Sequence, residues 1–269
     1  MEPYWLFWNI PRPLEGAFYV AAFLALLLFG LGMGWRTSLW MRGTDEPRTP
    51  LYGRGRLGIL WLSLVKLFSP DCLLARRVFP RSRARAVALI FSAWGFTALV
   101  VLLALSFAAY YGHLYLLRGR SYWLFSLLSD LAGFMLLAGV SFAVARRYVF
   151  RLEPLVNASE DGWALVILFS LAFSGFLVEG LRLAITGAIT VEYAPFGGLF
   201  ASAVTAVFPG GTLLWAHRLT WSLHVASALA LVAYLPYSKL VHLFAAQLVT
   251  HAAAQRGREA RSEGETLYR

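Results

Sequence analysis

Hydrophobic residues in this chain gather into long runs separated by basic segments. Five runs, at about 15–35, 86–111, 122–145, 163–186 and 213–241, each meet the requirement of roughly 20 apolar residues for crossing a membrane as a helix. A sixth, LGILWLSLVKLFS at 57–69, is too short to span. With Lys66 inside it and Pro70 ending it, this run reads as an interfacial helix. The opening stretch, MEPYWLFWNIPRPLEG, lacks the basic n-region and small-residue cleavage site of a signal peptide, and reads as an aromatic interfacial segment. No internal repeat is visible. The pattern predicts an all-α integral membrane bundle of five transmembrane helices. Its domain covers residues 1–250, including a loop at 36–85, and a charged tail follows at 251–269.

Composition agrees. The chain is 59% hydrophobic and 14% charged, whereas a soluble domain is about a quarter charged. The net charge of +10 invites a nucleic-acid reading, but most Arg and Lys lie between apolar runs, where topology and lipid headgroups account for them. Eleven basic residues crowd 36–85, Arg146, Arg147 and Arg151 follow the third run, and Arg256, Arg258, Arg261 and Arg269 follow the fifth. The alternate loops hold only Arg118 and Arg120, and Glu192. The positive-inside rule then predicts an outside N-terminus and a cytoplasmic C-terminus. A single cysteine, Cys72, excludes an internal disulfide and an iron–sulfur cluster held by this chain alone.

Chemistry concentrates in the fifth run. His217, His224 and His242 are spaced by seven and eighteen residues, which places them on one face of a continuous helix, with the last two about 27 Å apart. One intramembrane histidine serves helix packing as readily as ligation. Three on one face, two of them a membrane's depth apart, favour metal or haem. Haem is preferred to zinc because no Cys, Asp or Glu cluster accompanies them. Bis-histidine haem needs one ligand from each of two facing helices. Elsewhere, Glu179 and Arg182 have i,i+3 spacing suited to an ion pair, and Asp130, an isolated acid in the third run, is a candidate proton relay. Lys239 is placed to snorkel to cytoplasmic headgroups.

The segment LHVASALALVAYLPYSKLVHLFAA resembles the last membrane helix of the respiratory nitrate reductase gamma subunit family, which includes the cytochrome b-like membrane subunits of heterodisulfide reductase. The shared features are a His, eighteen residues, then a second His preceded by Pro236, Tyr237, Ser238, Lys239, Leu240 and Val241. EDGWALVILFSLAFSGFLVEGLRLA also resembles the heterodisulfide-reductase-like branch through Gly175 to Arg182.

The resemblance implies a haem b protein of a prokaryotic cytoplasmic membrane that exchanges electrons with quinone. It also implies a cytoplasmic iron–sulfur partner subunit in a heterodisulfide-reductase-like or nitrate-reductase-like complex. His224 would ligate an outer haem and His242 an inner one. Tyr-Gly-His-Leu-Tyr at 111–115 resembles the family's outer-haem pair, making His113 a partner for His224 or His217. Val87 and Ala88 stand where the inner-haem histidine would be, so one haem is expected before two. Lys239, Arg182 and Glu179 would meet a propionate or a quinone head. Arg118 and Arg120 would bond a quinone carbonyl or simply anchor the interface. The rival reading is a haem-free membrane anchor that keeps the fold. A transporter would show repeats or broken helices, and none is visible.

Overall fold

Lipid offers the backbone no hydrogen-bond partner, so long apolar segments must satisfy their own amides as helices. The computed structural model describes residues 4–41, 82–112, 117, 119–150, 159–187 and 192–238, with isolated positions 61, 65 and 79. Every regular element among them is helical. A 3-10 turn at Tyr4–Phe7 leads into α1 (Arg12–Met41), α2 (Arg83–Tyr111), α3 (Arg120–Tyr148), α4 (Ser159–Thr186), α5 (Pro195–Val207) and α6 (Leu213–Tyr234), followed by a 3-10 turn at Leu235–Tyr237. All except α5 belong to segments long and apolar enough to cross a membrane, five in number as expected. The chain is a multi-pass membrane protein. The interfacial helix expected at 57–69 and the tail at 251–269 lie outside the described residues, apart from Trp61 and Val65.

Two expectations need correction. The hydropathy pattern predicts only a loop between the fourth and fifth runs, yet that stretch contains α5, thirteen residues beginning at Pro195. Proline suits a helix start, where its missing N–H would lack a partner anyway. The same pattern predicts that the fifth run stays helical to 241, but the α-helix stops at Tyr234. Pro236 cannot donate to the preceding turn and its ring crowds the carbonyl four residues back. Ser238 adopts extended angles (φ −89°, ψ 168°). His242, expected on the same face as His224, lies outside the described residues.

The chain forms two compact units, one comprising Met1–Ala22 and Ala75–Ala230, the other Phe23–Leu74 and Leu231–Arg269. In the first, α2 and α3 meet backbone to backbone. A Cβ on Gly95 would lie 2.5 Å from the Leu136 amide nitrogen, and one on Gly139 would lie 2.7 Å from the Ser92 nitrogen. Small residues allow such approach, and close packing substitutes for a hydrophobic drive that lipid does not supply. Gly180 similarly admits Phe200 and Ala201 of α5 against α4. Hydroxyls in the helices donate to carbonyls four residues back, as Ser106 does to Leu102 and Ser222 to Arg218, which settles their polarity locally. In the second unit, Gly32 lies against Pro236 and Tyr237, while Arg36 Nε donates to the Pro236 carbonyl at 2.9 Å.

Candidate functional site

Two helix faces confront each other. On α4, Ser174, Gly175, Glu179 and Arg182 recur at intervals that keep them on one side of a 3.6-residue helix. On α6, His217 and His224 are two turns apart. His224 Nδ1 lies 2.9 Å from Ser174 Oγ, and that oxygen lies 3.0 Å from the Leu171 carbonyl. The hydroxyl has one proton for two acceptors; given to the Leu171 carbonyl, it leaves Oγ to accept from Nδ1–H. This assignment places the imidazole proton on Nδ1 and keeps the Nε2 lone pair available as a ligand. Gly175 lets the ring lie close: a Cβ there would be 3.3 Å from His224 Cε1.

Farther along the same faces is a polar cluster. Arg182 donates to Glu179 through Nη2 at 2.6 Å and Nε at 3.0 Å, so the expected i,i+3 ion pair is present and bidentate. Tyr122 of α3 hydrogen-bonds Arg182. His217 lies within the field of Arg182, Glu179 and Arg218. Its side chain is 2% exposed, and its Nδ1 is buried without a hydrogen-bond partner. The Trp8 ring meets it edge-on with centroids 5.2 Å apart.

Trp8 is held there by its neighbours. Arg218 donates to the Asn9 carbonyl at 3.0 Å and to Asn9 Oδ1 at 3.1 Å, and Asn9 Nδ2 donates to the Leu214 carbonyl. Phe7 packs among Phe18, Tyr19, Tyr110 and Trp221. Asn9 takes a left-handed φ of 60°, a conformation Asn tolerates better than most residues.

Asp130 has a structural job. Its carboxylate accepts from the Phe196 and Gly197 amides of α5 at 2.9 and 2.8 Å. Residue 194, the N-cap, is alanine and supplies no capping side chain. An acid from α3 therefore satisfies amides that every helix start leaves open, and its charge suits the positive helix end. The same Gly197 lies against Glu179, which ties α5 to the polar cluster.

Arg120 is the exposed first residue of α3. His113, Arg118, Lys239 and His242 lie outside the described residues. Sequence reasoning missed Ser174, Trp8, Asn9 and Arg218; of these only Ser174, a polar residue beside a glycine in an apolar run, carried a local signal. Haem, the group implied by the family resemblance, needs an imidazole with a free nitrogen and a fixed partner on the other. His224 with Ser174 meets that requirement. A second axial donor on α2 is not found: the helix contains no His, Met, Lys or Cys. Among the described residues no three His, Cys, Asp or Glu side chains cluster as a metal site.

Comparison with known proteins agrees with this architecture. The chain is 29% identical over 249 residues to the EtfAB:quinone oxidoreductase of Syntrophomonas wolfei subsp. wolfei, which covers 88% of the chain and 33% of that relative. It is 27% identical over 223 residues to one subunit of the dihydromethanophenazine:CoB–CoM heterodisulfide reductase of Methanosarcina thermophila, covering 78% of the chain and 70% of that relative. The chain thus spans about a third of the length of the first. No solved structure matches it. Residues 109–252 match the family described as nitrate reductase gamma subunit, taking in α3 to α6 whole. That match spans more than half of the 269 residues, and the chain belongs to the nitrate reductase gamma subunit family.

Proposed function

We propose that this chain is the membrane subunit of a quinone-linked respiratory oxidoreductase complex, that it binds haem b through His224, and that it passes electrons between a membrane-dissolved carrier and a cytoplasmic iron–sulfur subunit. The family and the two relatives support the class, since one is named for quinone and the other for dihydromethanophenazine. The observation that supports the haem assignment is the His224–Ser174 pair, which engages Nδ1 and suits the tautomer that leaves Nε2 free. Second-partner hydrogen bonds of this kind orient metal-binding imidazoles and raise their basicity. Haem bound there would supply the one-electron chemistry that side chains lack. Gly175 keeps the imidazole close to α4.

In this reading the N-terminus lies outside and the basic segments at 36–85 and after 238 face the cytoplasm, where they would dock the partner subunit. His242 and Lys239 would serve a second, inner haem, and His113 would be the second ligand at His224. The test is a pyridine haemochrome assay on the purified full chain expressed with ample haem. At least one haem per chain is expected, with loss of one in His224→Ala. A folded but colourless wild-type protein would reject the haem assignment. It would favour the second reading, a haem-free membrane anchor, for which the absence of any axial donor on α2 speaks.

A further inference from the structure

We infer that His217 is the hydrogen-bonding anchor for the head group of a reduced ring carrier, and that Trp8 with its flanking turn forms the cover that must swing aside to admit it. The inference rests on the carrier-linked function proposed above and gives His217 a role other than iron ligation.

The imidazole is nearly sealed, and its Nδ1 has no partner. A buried polar atom left unsatisfied is costly, and such atoms in a native fold ask for an explanation. The Trp8 indole covers one side of the ring. The charges of Arg182, Glu179 and Arg218 act on it, and Arg182 is itself bonded to Glu179 and Tyr122. His217 lies about 10 Å along the axis of α6 from His224, on the same face.

The chemistry of the occupant follows from what the relatives are named for. A quinol presents O–H groups and a dihydrophenazine presents N–H groups, and both are donors in the reduced form. A lone imidazole nitrogen can accept from either. A single histidine therefore serves carriers that differ in the donor atom, which a site built to recognise a carbonyl would not.

On its α6 side the cover is held by polar contacts, while Phe7, one residue before Trp8, stays buried among aromatic rings. Asn9 is clamped by Arg218 and bonds the Leu214 carbonyl. Hydrogen bonds of this kind can be exchanged for bonds to water when the segment opens. Both clamp partners sit on α6 beside His217, so the segment that hides the nitrogen is anchored at the site it covers.

The test uses the full chain in lipid nanodiscs, without oxygen, with menadiol and 5,10-dihydrophenazine as probes, and haem content measured in parallel. Wild type should bind both probes, each displacing the other. His217→Phe should weaken both by about tenfold or more while keeping its haem, and His217→Gln, which retains an acceptor, should stay within about threefold of wild type. Trp8→Ala should speed association severalfold. Unchanged binding in His217→Phe overturns the anchor, and unchanged association in Trp8→Ala overturns the cover. Loss of haem in His217→Phe makes the residue an iron ligand and also overturns the inference. A colourless wild type that still binds through His217 would reject the haem assignment and leave this one standing. Should His217→Phe fail to fold, His217→Leu takes its place, with the same weakening of both probes expected and unchanged binding overturning the anchor.

Discussion

α3 and α6 are both apolar helices, of 29 and 22 residues, yet they are enclosed differently. α3 buries Ser126, Asp130, Ala132, Leu136, Gly139 and Val140, mostly small residues that bring the backbone of α2 into contact. α6 buries only Leu213 and His217, and it meets α4 through side-chain ends: an imidazole on a hydroxyl, and Leu213 and Ala216 beside Leu181. One interface is specified by close backbone approach, the other by a polar pair beside a small apolar cluster. Shape-specified contacts fail when volume is added. Polar-specified contacts fail when a donor or acceptor is removed.

Substitutions put that contrast at risk. Gly139→Leu should have the largest effect, about 3 kcal/mol of destabilisation, because the new side chain would meet the Ser92 nitrogen and the Ala88 carbonyl. Thermal unfolding in detergent measures it, and an unchanged midpoint would deny the backbone contact. Next comes Asp130→Ala, which leaves two amides of α5 open and should cost about 2 kcal/mol. Asp130→Asn keeps one accepting oxygen and should lose less. Protease sensitivity of the 187–212 segment reads both.

On the haem assignment proposed above, Ser174→Ala is expected to leave the fold intact and to weaken haem retention about tenfold, measured by transfer to apomyoglobin. The smallest effect belongs to Gly30→Leu, within about 0.5 kcal/mol of wild type, since Gly30 is exposed and a Cβ there would meet no neighbouring atom within 4 Å. A large cost there would show that glycines matter in this chain for some reason other than close approach.

Much of this architecture is legible from the sequence, for physical reasons. Crossing lipid demands about 20 apolar residues in a row, a signal strong enough to locate all five spanning segments. α5 escaped because its thirteen residues fall below that length. Its apolar run and its leading Pro195 were the available hint. The end of α6 escaped because a hydropathy run continues through Pro236 while helical geometry does not. At the site, the Glu179–Arg182 pair could be read because its partners are three residues apart. Asp130 could not, since its partners are backbone amides 66 and 67 residues away. The one local trace was an alanine where a helix start usually has a capping side chain. The His224–Ser174 pair, fifty residues apart, needed the fold before its tautomer could be argued.

On the function proposed above, His224 offers a free Nε2 to haem and so gives a membrane carrier a route for its electrons. The decisive experiment is the optical spectrum of the full chain in nanodiscs during anaerobic addition of menadiol. A reduced b-type band should rise in wild type and be missing in His224→Ala. A folded wild-type protein that takes up no haem, or a band of undiminished size in His224→Ala, would contradict that route.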